Sequence, residues 1–174
     1  MAMFQTHRSA SSGPSPSGGA DPDEDVLDAW LIGEALALAR RAELGGEVPI
    51  GAVVWRDGAI LGRGSNRPIT SGDPTAHAEI VAIREAAATA GNYRLTGAVL
   101  AVTLEPCLMC FGAALNARLE RVVFGASDPR LGAAERALRR QQGSGVLNHR
   151  LRVTPGVQAQ GCAELLRAFF AARR

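Results

Sequence analysis

Asp73-Pro74-Thr75-Ala76-His77-Ala78-Glu79, residues 73–79, and Glu105-Pro106-Cys107-Leu108-Met109-Cys110, residues 105–110, are the two stretches on which the reading of this chain turns. Each sets reactive side chains at the start of a predicted helix. Residues 66–75 contain Pro68, Gly72 and Pro74, which is loop chemistry, and they deliver the chain to His77 at the head of an Ala-rich stretch predicted helical to about Ala90. Pro106 suits the first turn of a second helix, over Cys107 to Ala117. On that helix Cys107 and Cys110 are three apart, so both sulfurs face one side, and the positive helix start favours their thiolates.

A single Cys-x-x-Cys is ambiguous between a metal pair, a redox pair and two incidental cysteines. His77 and Glu79 narrow the choice. Positions i and i+2 of a regular helix point apart, so these two can address one site only if His77 stands at the very start. Alone, each has a bland reading: a capping His, and a Glu that suits the helix dipole. With the cysteines, one imidazole and two thiolates make a tetrahedral zinc site with a position left open, the arrangement of a catalytic zinc. A structural zinc would need a fourth protein ligand, for which Cys162 and His149 are the candidates. At an open position zinc lowers the pKa of water toward neutrality. These residues resemble the zinc nucleobase deaminases, and the resemblance implies that Glu79 is not a ligand but the proton carrier.

Working outward, Glu24 to Leu44 repeats apolar residues at helical spacing and stops at Gly45-Gly46. Ile50–Trp55 and Ala59–Gly64 read as strands joined by Asp57-Gly58, a strong hairpin signal. Ala98–Thr103 and Val122–Gly125 read as buried strands and Ala163–Ala172 as an amphipathic helix. Residues 128–150 carry no clear pattern. Alternating strands and helices predict an α/β layered fold with some parallel pairing. Residues 1–23, rich in Ser, Gly and Pro, have little to bury and are read as a disordered tail preceding one domain, 24–174.

The chain has 174 residues, 47% of them hydrophobic, and a net charge of +2. Residues 1–87 hold 7 Arg against 12 acidic residues and residues 88–174 hold 12 Arg against 5, so the halves come to −5 and +7. A polyanion would meet the second half first. All 19 basic residues are Arg, which suits phosphate contacts but is also what a GC-rich coding bias would produce. Three cysteines cannot all pair within the chain, and together with the absence of a secretory h-region or a spanning apolar run they predict a cytoplasmic protein.

His-x-Glu followed by Pro-Cys-x-x-Cys resembles the signature of the zinc nucleobase deaminases. The likeness extends to Glu47-Val48-Pro49, Gly51-Ala52-Val53, Asn66-Arg67-Pro68-Ile69, Asn92-Tyr93-Arg94-Leu95, Thr103-Leu104-Glu105, Arg121 to Ala126, Asn148-His149-Arg150 and Phe169-Phe170. With these stretches the chain resembles the bacterial tRNA wobble adenosine deaminases, from about Asp28 onward. The resemblance implies a three-layer α/β/α sandwich of the cytidine deaminase type with a mixed five-stranded sheet. It also implies a homodimer, one Zn2+ per chain, and conversion of wobble adenosine to inosine in the anticodon arm of an arginine tRNA. By it, Asn66 hydrogen-bonds the flipped base, the Ala78 backbone reads its edge and Val48 packs its face. Asp128, Asn148, Arg150, Phe169 and Arg173 contact neighbouring nucleotides. The bland readings are an Asx turn for Asn66, core packing for the Phe pair and a solvated tail for Arg173. Pro129-Arg130-Leu131 and the Arg- and Gln-rich segment 135–145 depart from the family. Two further readings use the same zinc: a small-molecule deaminase of guanine or cytosine type, and a non-catalytic zinc-containing RNA-binding subunit, against which Glu79 argues.

Overall fold

The computed structural model describes residues 22–134 and 149–173. The expected tail apart from Pro22 and Asp23, the Arg- and Gln-rich segment and Asn148 lie outside the described residues.

Helix α1 spans Pro22–Leu44, with Asp23, Glu24 and Asp25 in its first turn where the helix dipole favours acids. It therefore begins ahead of the boundary drawn at Glu24. Strands β1, Gly51–Arg56, and β2, Ala59–Ser65, form the expected hairpin. Its turn residues Asp57 and Gly58 both have positive φ, 51° and 85°, which matches the twist of the flanking strands. A helical turn follows where a loop was expected: α2, Pro68–Ser71, opens on Pro68 and closes on Gly72 at φ 61°. Helix α3 is Ala78–Ala90, β3 Val99–Leu104, α4 Leu108–Asn116 and β4 Arg121–Ala126. Strand β5, Arg152–Thr154, lies where no strand was read, and the last helix α5 covers Ala159–Ala171. Its opening turn, Ala159-Gln160-Gly161, is too small and polar to announce a helix.

The sheet is mixed, in the order β2-β1-β3-β4-β5. Strand β1 pairs antiparallel with β2 and β3, while β3, β4 and β5 run parallel. Alternate residues leave opposite faces. Ala52, Val54, Leu100, Val102, Val122 and Phe124 pack with Ala78, Ala82 and Ala86 of α3 and Phe111 and Ala114 of α4. Val53, Val99, Ala101 and Val123 pack with Leu31, Ile32 and Leu36 of α1 and Cys162 of α5. This is the three-layer α/β/α sandwich.

Two contacts fix how the layers register. Gly62 and Gly64 sit under α3 so closely that a Cβ at either would overlap the backbone of Ala82 or Ala78. On the other face Arg121 of β4, 1% exposed, holds Asp28 of α1 through two guanidinium bonds of 2.6 and 2.7 Å. Burial pushes the Asp28 carboxyl up, and the Arg121 guanidinium opposes that shift.

Candidate active site

Helices α3 and α4 bring their N-termini together. His77 caps α3 with extended backbone, φ −66° and ψ 151°, and Cys107 caps α4 in the same way, φ −70° and ψ 172°. This corrects the expectation that the second helix begins at Pro106 with Cys107 inside it. The Pro106 carbonyl accepts the Ala133 N–H at 3.0 Å and Cys107 forms a β-bridge with Gly132, so the segment is held extended until Leu108. The two sulfurs converge all the same, because a cap residue and the third helical residue lie over the same side of the first turn.

Cys107 Sγ stands 3.7 Å and Cys110 Sγ 3.5 Å from His77 Nδ1, and the three donor atoms all lie within 4.8 Å of one another. Zn–S of about 2.3 Å and Zn–N of about 2.0–2.1 Å at tetrahedral angles put S and N about 3.6 Å apart. The donor set and its spacing therefore fit zinc. The protonation pattern agrees. Cys110, then His77, hydrogen-bond the Cys107 sulfur and hold its thiol down to about 4. Cys110 is pushed well above the ordinary thiol range, first by that bond and then by burial, and the Cys107 bond raises His77. The proton that Cys110 keeps is the one a cation would displace.

Glu79 lies in the first turn of α3 and is 4% exposed. Burial raises its carboxyl above the ordinary range, and it hydrogen-bonds Cys110. It faces the cluster without belonging to the donor group. A buried carboxyl able to hold a proton beside a metal-binding cluster is equipped for acid–base work.

The loop before His77 is tied in place. Asp73 Oδ1 accepts the Thr75 N–H at 2.8 Å and the Thr75 hydroxyl at 2.7 Å, and Arg67 N–H donates to the Ala76 carbonyl at 3.0 Å. Asn66, 7% exposed, donates its N–H to Ile50 O at 2.9 Å, and it directly precedes Arg67, whose amide reaches Ala76. Val48 is half-buried on the adjoining loop. Ala78 is the first residue of α3, so its amide has no acceptor within the helix. Sequence reasoning quoted Glu47 within a matching stretch but gave it no role; it is 2% exposed, and its Oε1 accepts the Thr70 N–H at 2.7 Å and joins these two loops. A single Glu beside Val-Pro carries no periodic signal.

The expected nucleotide contacts divide. Asp128 adjoins the cluster through the Cys107–Gly132 bridge, and its Oδ1 accepts the amides of Arg130 and Leu131 at 2.9 and 3.1 Å. Phe169 is 3% exposed, with the Arg173 guanidinium 3.6 Å from its ring centre; its neighbour Phe170 is the exposed ring. Arg130, Leu166, Arg167, Phe170, Ala171 and Arg173 line a cleft of about 570 Å³. Arg150 is not brought to the cluster. It is followed by β5, which pairs with the start of β4, and neighbouring His149 Nε2 hydrogen-bonds Leu119 O, whereas Cys107 and Asp128 follow the far ends of β3 and β4. Six residues of β4 put roughly 20 Å between the two edges.

The sequence profile described as the cytidine and deoxycytidylate deaminase zinc-binding region matches residues 26–126. A tRNA-specific adenosine deaminase of Haemophilus influenzae (strain ATCC 51907 / DSM 11121 / KW20 / Rd) is 47% identical over 149 residues, 85% of this chain and 86% of that protein. One of Streptococcus pyogenes serotype M18 is 42% identical over 81% of this chain and 88% of its own. A solved structure from biochemical and structural studies of A-to-I editing by tRNA:A34 deaminases at the wobble position of transfer RNA superposes with a TM-score of 0.74. It is 43% identical and covers 79% of this chain and 99% of its own.

Proposed function

This chain belongs to the cytidine and deoxycytidylate deaminase zinc-binding family and, within it, to the tRNA-specific adenosine deaminases, and on that footing we propose how its residues convert wobble adenosine to inosine. The observation that carries the reading is the cluster of His77, Cys107 and Cys110 within 4.8 Å, with buried Glu79 facing it.

His77 Nδ1 and the sulfurs of Cys107 and Cys110 would hold one zinc ion per chain. Bound there, zinc supplies the Lewis acidity that makes water nucleophilic at neutral pH. Glu79 takes a proton from the attacking water and passes it to N1 of adenine as oxygen bonds to C6. It then takes the remaining proton from the new C6 hydroxyl and delivers it to the departing amino group, so that the C6 carbonyl forms and adenosine and water become inosine and ammonia. The raised Glu79 carboxyl fits this shuttle, because burial makes it take up a proton more readily than an ordinary carboxylate. A flipped base would meet Asn66 as hydrogen-bond partner, the free Ala78 amide at its edge and Val48 on its face.

The RNA lies toward the cleft beside the 128–132 loop. Arg130, Arg167 and Arg173 offer phosphate contacts there and Phe170 an exposed ring for stacking. Asp128 uses one oxygen on its own loop and has the other for a nucleotide, while Phe169 supports Arg173 from beneath. Arg150 would touch RNA only away from the reacting base, and Asn148 keeps the nucleotide contact that the resemblance implies. The substrate is the anticodon arm of an arginine tRNA. A homodimer covers Leu108 and Met109, which the start of α4 exposes between Cys107 and Cys110. Work on tRNA and three cysteines free of disulfides both suit the cytoplasm. None of the described helices is long and apolar enough to cross a membrane.

The test is nucleoside analysis of arginine tRNA after incubation with the zinc-loaded protein, with guanine and cytosine as competing substrates. Inosine is expected in the RNA; its absence, with turnover of a free base, would replace this reading by a small-molecule deaminase.

A further inference from the structure

We propose that Glu105 is a positioning residue whose buried carboxylate straps the 128–132 loop to the segment carrying Cys107, and so sets where the arginine-lined cleft stands relative to the reacting base. The inference rests on the deaminase reading above.

Strands β3 and β4 run parallel and leave the sheet side by side, their last tie being Glu105 N–H to Ala126 O at 2.8 Å. Beyond it the two chains part, one through Pro106 into α4, the other into Ser127-Asp128. The Glu105 side chain spans that gap. It is 7% exposed, and its Oε2 accepts the Asp128 N–H at 3.1 Å.

The loop then closes back over the same carboxylate. Gly132 donates its N–H to Asp128 O at 2.9 Å and bridges Cys107, while Ala133 donates to Pro106 O at 3.0 Å. A Cβ at Gly132 would overlap the Glu105 carboxylate and the Asp128 carbonyl, so this return path needs glycine. Asp128 in turn orients Arg130 through the Arg130 amide, and Arg130 is one wall of the cleft. Cys107 is thus coupled to Arg130 through a charged acceptor on a main-chain amide, a class of bond that weakens little in a buried place. Glu105 is outside the donor group and is not the proton carrier.

The experiment compares full-length, zinc-loaded wild type, Glu105→Ala, Glu105→Gln and Gly132→Ala. Glu105→Ala is expected to keep its zinc and a kcat within about threefold, and to raise KM for an anticodon hairpin about tenfold, the loss of one charge-assisted bond. Glu105→Gln keeps an acceptor oxygen and recovers most of the KM, whereas Gly132→Ala reproduces the defect. Trypsin, in parallel, is expected to cut after Arg130 faster in Glu105→Ala than in wild type. Should Glu105→Ala fail to fold, Glu105→Gln and Gly132→Ala carry the comparison. Loss of zinc, or of kcat with KM unchanged, would move Glu105 into the reacting centre; unchanged KM and unchanged cleavage would remove the strap. If wild type makes no inosine the deaminase reading falls, and the cleavage rates still decide the strap.

Discussion

At the scale of single residues, the candidate chemistry depends on side chains that two helix starts bring within reach of one another. Glu79→Gln keeps the volume and the buried polar group but removes the proton carrier. It is expected to retain zinc and melting temperature while kcat falls about 10²–10⁴-fold; metal analysis beside single-turnover kinetics checks this. Asp73 sits on the loop that delivers His77. Its carboxyl is held below the ordinary range by Thr75, through the hydroxyl and then the amide. A carboxylate with a depressed folded pKa stabilises the fold above its unfolded pKa, about 3.9, and that contribution disappears as pH falls through the lower folded value. Asp73→Asn should therefore lower stability at neutral pH and flatten the acid side of the stability curve, as read by denaturation at stepped pH. At this scale the motif residues were legible in the sequence, because His-x-Glu and Cys-x-x-Cys are local patterns. Glu105 and Glu47 were not, since each acts on a loop more than twenty residues away.

Among the elements, α3 matters most, because it carries His77 at its cap and Glu79 in its first turn. Its approach to the sheet needs the bare backbone of Gly62 and Gly64. Gly64→Ala would push the start of α3 outward, at a cost of about 1–3 kcal/mol, and should weaken zinc retention more than the same change at exposed Gly58. Competition with a zinc-sensitive dye measures that difference. On the opposite face Asp28→Asn leaves the Arg121 guanidinium buried without its bidentate partner. Glu24, 3.4 Å away, compensates in part, so the expected loss is about 3 kcal/mol, visible as a lower denaturant midpoint with an unchanged slope. The hairpin, α1 and the buried strands were readable from periodicity and the Asp57-Gly58 turn. The start of α4 was misplaced by one turn signal, Pro106, because the bridge from Gly132 that keeps Cys107 extended comes from a distant segment.

For the whole molecule, the zinc site joins two helices that follow different strands, so emptying it should loosen the layer they form. Chelation is expected to lower the melting temperature by about 10 °C, as loss of a tightly held ligand does in a domain of this size, with recovery on adding zinc. Calorimetry with and without chelator tests this. Sedimentation of wild type and Leu108→Glu tests the homodimer: wild type is expected at twice the chain mass and the variant at once.

The sequence by itself determined which side chains meet in the metal-fitting cluster, that strands and helices alternate, and where the hairpin turns, because each is written in neighbouring residues: a motif, a hydrophobic period, a pair of turn formers. Only the tertiary structure decided that Cys107 is a cap and not a helical residue, that Arg150 stands at the far edge of the sheet, that Phe170 and not Phe169 is the exposed ring, and that Glu105 ties the cleft to the cluster. Those facts depend on which strand ends lie side by side, and parallel pairing between segments far apart in the chain leaves no local trace.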